Sequence, residues 1–222
     1  MNCMNYSLLK RLSYFISLGL AGGGWLCVNT TAVAAPALQG YMMQVQLTPA
    51  TCTIDSSKQR QRKCLEGYSL TIDGLWPETA ANSNCTTTSS GRLAPIQAKV
   101  VARVMPDENA RLQLWRNLGG CIPMNVSQYF RMVINLADKL KVPNEMVGEA
   151  TLKVQHNAIR TQFLRLNPSL PAAGLKLNCQ SSRGTSILTE IQICYTSTGK
   201  YKACSTQVVA NCPASFTIKG SY

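Results

Sequence analysis

Thr71-Ile72-Asp73-Gly74-Leu75-Trp76-Pro77 is the stretch on which the reading of this chain turns. It closes an alternating run, residues 67–73, in which Tyr68, Leu70 and Ile72 share one face, so the spacing predicts a strand. Gly74 and Pro77 then punctuate the chain, with Trp76 between them. Taken alone, those residues read as a strand end followed by a tight turn with a packed indole.

Two further strands flank this one at long range. Residues 41–47 carry Tyr, Val and Leu with partial alternation, and residues 187–195 (ILTEIQICY) are dense enough in apolar side chains to predict a central strand. Between them the period changes to that of helices. Ser127 is placed to cap a helix over 127–141, with Phe130, Val133, Ile134, Ala137 and Leu140 inward. Residues 145–166 predict another, ended by Asn167-Pro168, and residues 95–115 predict two helical pieces interrupted at Pro106. The Thr/Ser run at 86–90 reads as a loop. Strands, then helices, then strands give an α+β class, with helices on a mainly antiparallel sheet.

The amino terminus reads as a targeting segment. Lys10 and Arg11 precede an apolar stretch over 12–28, and Ala32-Val33-Ala34 offers a signal-peptidase site after Ala34. A membrane anchor is the competing reading, which the glycines at 22–24 and the small-residue exit disfavour. Cleavage leaves residues 35–222 as a single domain without a membrane span, and predicts a bacterial periplasmic or secreted protein. Cys3 and Cys27 leave with the leader, so eight cysteines remain of ten. An even number in an exported chain implies disulfides; the C-x-x-C spacing of a zinc site is missing, and neither metal nor cofactor is expected. Spacing alone leaves 105 connectivities open. Removing Lys10 and Arg11, with no acidic residue beside them, takes the net charge from +12 to +10. Such a charge favours polyanions: nucleic acid such as RNA, an anionic membrane surface, or an acidic protein partner.

The TIDGLWP stretch resembles the first active-site block of the ribonuclease T2 family, where a strand ends in His-Gly-Leu-Trp-Pro; four of the five residues stand here and Asp73 replaces the first. Gln46-Leu47-Thr48-Pro49-Ala50-Thr51-Cys52 resembles the family's first strand running toward its first cysteine, with Leu47 where Trp is usual. Residues 113–121 (QLWRNLGGC) align on Cys121 with the second block, His-Glu-Trp-x-Lys-His-Gly-x-Cys. Tyr129-Phe130 resembles a pair on the following helix, and residues 188–194 with Asn211-Cys212-Pro213 resemble the terminal strand and closing disulfide. The resemblance implies a ribonuclease T2-like fold with four disulfides: Cys52–Cys64, Cys85–Cys121, Cys179–Cys212 and Cys194–Cys204.

It also implies what has been lost. The family's enzymes let the ribose 2′-hydroxyl attack the adjacent phosphate, with two histidines moving protons and a Lys and a Glu attending the phosphate. Those roles fall on Asp73, Gln113, Leu114, Asn117 and Leu118, and none keeps the family's residue. No His lies between 100 and 130, so a slip of register does not restore one; the single His156 sits on a predicted helix outside both blocks. Each lost acid or base forfeits ~10²–10⁴ in rate. A non-catalytic binding module for RNA or for a protein partner is therefore expected, with a ribonuclease using non-standard residues such as Asp73 and His156 as the alternative. On this reading, restoring Asp73→His, Leu114→Glu, Asn117→Lys and Leu118→His together should recover some cleavage. For binding, Gln46 matches a position that contacts a base in some members, and Trp76 can stack, though core packing suits it better. Lys58, Arg60, Arg62 and Lys63 concentrate four positive charges in the 52–64 segment, a composition that suits phosphate as well as an ordinary solvated loop.

Overall fold

A computed structural model of the chain describes residues 38–78 and 84–221. The leader read at residues 1–34 lies outside them. In β1 (Gly40–Leu47), Tyr41, Met43, Val45 and Leu47 are buried while Met42, Gln44 and Gln46 are half-buried, the period of two that a one-sided strand requires. Pro49 then sits in the first turn of α1 (Thr48–Ile54), where its missing N–H costs nothing. The Cys52–Cys64 disulfide ties α1 to the short α2 (Arg62–Leu65), which leads into β2 (Leu70–Glu78). Helices α3 (Pro95–Val101), α4 (Glu108–Leu118) and α5 (Val126–Lys139) follow. Asn125, not Ser127, caps α5, in a capping box with Gln128. The chain closes with β3 (Leu152–Gln155), α6 (His156–Leu166), β4 (Leu175–Ser182), β5 (Thr185–Tyr195) and β6 (Ser215–Ile218).

The strands form one sheet in the order β2-β1-β5-β6-β3, with β4 also on β5. All pairings are antiparallel except β5 with β6. The α+β, mainly antiparallel expectation holds, and so does the central place of β5, which meets three neighbours. All four disulfides join the pairs that the resemblance implied. Arg183 and Gly184 make the two-residue turn between β4 and β5, both at positive φ, the conformation that a type I′ hairpin demands and glycine supplies.

Two segments depart from the expectations. β2 does not stop at Asp73: its ladder with β1 runs on through Glu78, so Gly-Leu-Trp-Pro is strand. Pro77 is tolerated because β2 is an edge. The helix expected over 145–166 begins only at His156, because residues 152–155 pair instead with β6. A partner 60 to 66 residues downstream outweighs local helical periodicity, and no reading of period can see it.

One face of the sheet is apolar, in rows such as Leu177–Ile191–Val45–Ile72 and Leu175–Ile193–Met43–Leu75. The buried side of α5 (Tyr129, Phe130, Val133, Leu136) and Ile159 and Phe163 of α6 belong to the same core. The β2 edge is closed by hydrogen bonds rather than by another strand. Ile72 N–H donates to Val104 O at 2.8 Å, while the Tyr129 hydroxyl donates to Leu75 O at 2.9 Å and accepts from Leu75 N–H at 3.1 Å. Burial raises the Tyr129 phenol well above its ordinary pKa, so it stays neutral and serves both roles. Tyr129→Phe leaves both Leu75 groups buried and unpaired. We expect a loss of ~1–3 kcal/mol in urea unfolding, with the m-value unchanged.

Candidate nucleic-acid interface

The face opposite the apolar rows is polar. Gln44 and Gln46 of β1 stand across from Gln192 and Glu190 of β5, and beyond these lie Lys176 and Asn178 of β4. Alternation puts these side chains on one face while their neighbours enter the core. Glu190 Oε1 accepts from Gln192 Nε2 at 2.6 Å and from Gln44 Nε2 at 3.4 Å. Burial pushes the Glu190 carboxyl up; the amide donors Gln192, Asn178 and Gln44 oppose the shift, and the negative charge of Asp73 adds to it. Sequence reasoning singled out only Gln46 of this set. The signal for the others was the polar residue at every second place in 44–46 and 190–192.

Asp73 lies in a bulge. Gln44 faces Gly74 and Val45 faces Ile72, so Asp73 has no partner across the ladder and its side chain is exposed. Just beyond it, Trp76 is half-buried and folds back over Gly74. A Cβ at Gly74 would lie 2.7 Å from Trp76 Nε1 and 3.0 Å from Leu114 Cδ1, so any larger residue would have to push the indole or the leucine aside. The contact joins the two blocks that the sequence separates by some forty residues.

On α4 the second block splits by helical geometry. Leu114 and Leu118, one turn apart, are 4% and 1% exposed and belong to the core, as does Trp115. Gln113 and Asn117 are exposed. The helix end is pinned by Cys85–Cys121, by Trp115 Nε1 donating to Ser89 Oγ at 2.9 Å, and by the 5.7 Å approach of the Trp115 and Tyr129 rings. Gln113 and Asn117 can hydrogen-bond, but neither can exchange a proton near neutrality. His156 starts α6 and lies 6.0 Å, ring to ring, from Phe216 of β6. It sits toward the β3 edge, four strand spacings from β2, or about 19 Å. The structure does not bring it to Asp73.

The four basic residues of the 52–64 segment also divide. Lys63 is only 8% exposed and donates from Nζ to Gln46 Oε1 at 2.8 Å. Burial pulls its pKa down, and the charges of Asp73 and Asp107 oppose that shift. Arg62 pairs with Glu66 at 2.5 Å, Lys58 lies 3.6 Å from Asp55, and Arg60 is exposed. Lys63 and Gln46 therefore belong to the sheet face, while the others belong to the solvent. Among the described residues no group of three or more His, Cys, Asp or Glu is arranged to hold a metal, and no helix is long and apolar enough to cross a membrane.

Residues 39–212 match the family model described as Ribonuclease T2 family. No curated protein matches by sequence. Several solved structures share the fold. Ribonuclease MC1 from the seeds of bitter gourd gives a TM-score of 0.63 at 17% identity, covering 80% of this chain and 98% of that one. A variant of it in complex with 5'-UMP gives 0.64 at 17% identity, over 81% and 97%. The RNase-related protein from Calystegia sepium gives 0.63 at 14% identity, over 82% and 97%.

Proposed function

This chain belongs to the ribonuclease T2 family, and from that premise we propose that it is a non-catalytic member that binds RNA on the polar face of its sheet. The observation that carries this is the burial of Leu114 and Leu118. At two of the five positions where the family's enzymes hold catalytic side chains, this chain holds core residues that cannot reach a substrate. Gln113 and Asn117 cannot replace a histidine and a lysine in moving protons and countering phosphate charge. Binding makes no such demand. Gln46, Gln44, Gln192 and Asn178 supply amide donors and acceptors, Lys63 a buried cation, and the mature charge of +10 a long-range attraction for phosphate. A mononucleotide is held by a related protein of this fold. Four disulfides match an oxidising compartment; with cleavage after Ala34, we assign the domain 35–222 to the bacterial periplasm or the exterior.

A second reading, an endoribonuclease with non-standard residues, draws on Asp73 and Glu190. An exposed carboxylate beside one whose pKa is raised is the kind of pair that can divide base and acid roles. One experiment separates the two. The oxidised protein is incubated with single-stranded RNA between about pH 5 and 8, with cleavage and fluorescence anisotropy followed together. We expect binding without cleavage, weakening steeply from about 50 to 200 mM salt. Cleavage that Asp73→Asn or Glu190→Gln abolishes would establish the enzyme instead. Neither signal would turn the search to a protein partner.

A further inference from the structure

We propose a second nucleic-acid contact, a groove on the helical side of the sheet that takes the phosphate backbone of a single strand. It rests on the RNA-binding reading above and extends it to a surface that reading does not use. The groove is about 260 Å³ and runs between α5 and the turn that follows β5, lined by Gln128, Arg131, Asn135 and Lys139 on one wall and Ser197 and Thr198 on the other. Met132, Leu136 and Gly199 complete the lining.

Helical spacing builds the first wall. Arg131, Asn135 and Lys139 follow one another at intervals of four, so their side chains stack along one side of α5. From Gln128 to Lys139 the helix rises about 16 Å, room for more than one phosphate. All three residues are exposed, and among the described residues none of their side chains makes a hydrogen bond or ion pair. The opposite wall is preformed. Thr196 N–H donates to Lys200 O at 2.7 Å, Gly199 N–H to Thr196 O at 2.9 Å, and Thr196 and Thr198 join their hydroxyls at 3.0 Å.

Charge selects the occupant. Every polar residue lining the groove can donate a hydrogen bond, and none is a carboxylate. Asp138, the one acidic residue of α5, does not line it. Two cations without internal counter-ions, an amide between them and hydroxyls across from them suit phosphate oxygens. The half-buried Met132 suits a sugar face of the same strand. A neutral or basic peptide would leave both cations unpaired.

The test compares three forms of the full oxidised protein by anisotropy with a labelled single strand of about twelve nucleotides, titrated from about 50 to 200 mM salt. They are the unaltered protein, Arg131→Gln/Lys139→Gln, and Arg92→Gln/Arg103→Gln, which removes the same charge from another surface. We expect the α5 pair to weaken binding about tenfold at the lower salt for any base sequence. The slope of log affinity against log salt should become shallower by about 1.4, two phosphate contacts at about 0.7 each on a single strand. The control pair should move the slope by less than half as much, and all three should share one melting temperature. An unchanged slope in the α5 variant, or an equal change in the control, overturns the groove while leaving RNA binding intact. Failure of the unaltered protein to bind overturns both.

Discussion

Leu114→Glu combined with Leu118→His, which writes two of the family's residue types into α4, is expected to lower the unfolding free energy by about 5–12 kcal/mol and to yield no ribonuclease. Both leucines are almost completely buried. Losing each side chain's burial costs ~1.5–3 kcal/mol, and each polar replacement left without a partner adds ~1–3. A domain of this size holds only ~5–15 kcal/mol in total, so the double variant is expected to unfold in part at room temperature. Asp73→His and Asn117→Lys, at exposed positions, should each change stability by less than about 0.5 kcal/mol. Urea titrations followed by tryptophan fluorescence and far-ultraviolet circular dichroism check all four. The four-residue restoration that sequence alone expects to recover cleavage is expected to fail here, because two of its residues would have to enter the core. A double variant as stable as the parent would show that α4 can present these positions to solvent.

Loss of the Cys85–Cys121 bridge is expected to cost more than loss of Cys194–Cys204. The first closes a separation of 36 residues and the second one of 10. Chain entropy alone then assigns about 3.8 kcal/mol to the first and about 2.7 to the second. The site adds to the difference. Cys85–Cys121 holds the end of α4 against the preceding loop, where Thr87 N–H donates to Arg116 O and Gly120 N–H to Cys85 O, each at 2.8 Å. Paired serine variants of each bridge, unfolded in urea under oxidising conditions, give the comparison. In Cys85→Ser/Cys121→Ser, amide exchange should also rise along α4 more than along α5. Equal midpoints for the two variants would show that the loop is held by its packing and not by the bridge.

The strands and helices legible in the sequence are those whose own residues carry a full period. β1 announces itself by alternation, β5 by its apolar density, and α5 by inward residues that recur as a helix requires. β3 and β6 are four residues each, too short to show a period, and they exist because they pair with each other. β4 carries a signal of its own: Leu175, Leu177 and Cys179 alternate up to Arg183-Gly184, a two-residue loop before the next run. The site divides in the same way. The residue types at 73, 113, 114, 117 and 118 are plain in the sequence, but their consequences depend on burial. Lys63 illustrates this most simply, since four neighbouring cations look alike until one of them is found under the sheet face holding Gln46.

The sequence by itself determined the family resemblance, through TIDGLWP read together with the cysteines and the other blocks, and the absence of histidine from the first block, because both depend only on which side chains stand in order. Only the tertiary structure decided that this stretch is an edge strand bulged at Asp73, that Trp76 and Leu114 both close on Gly74, and that Leu114 and Leu118 are buried in the core. Those outcomes depend on which surfaces meet, and surfaces separated by forty residues meet only once the sheet and α4 have closed on each other.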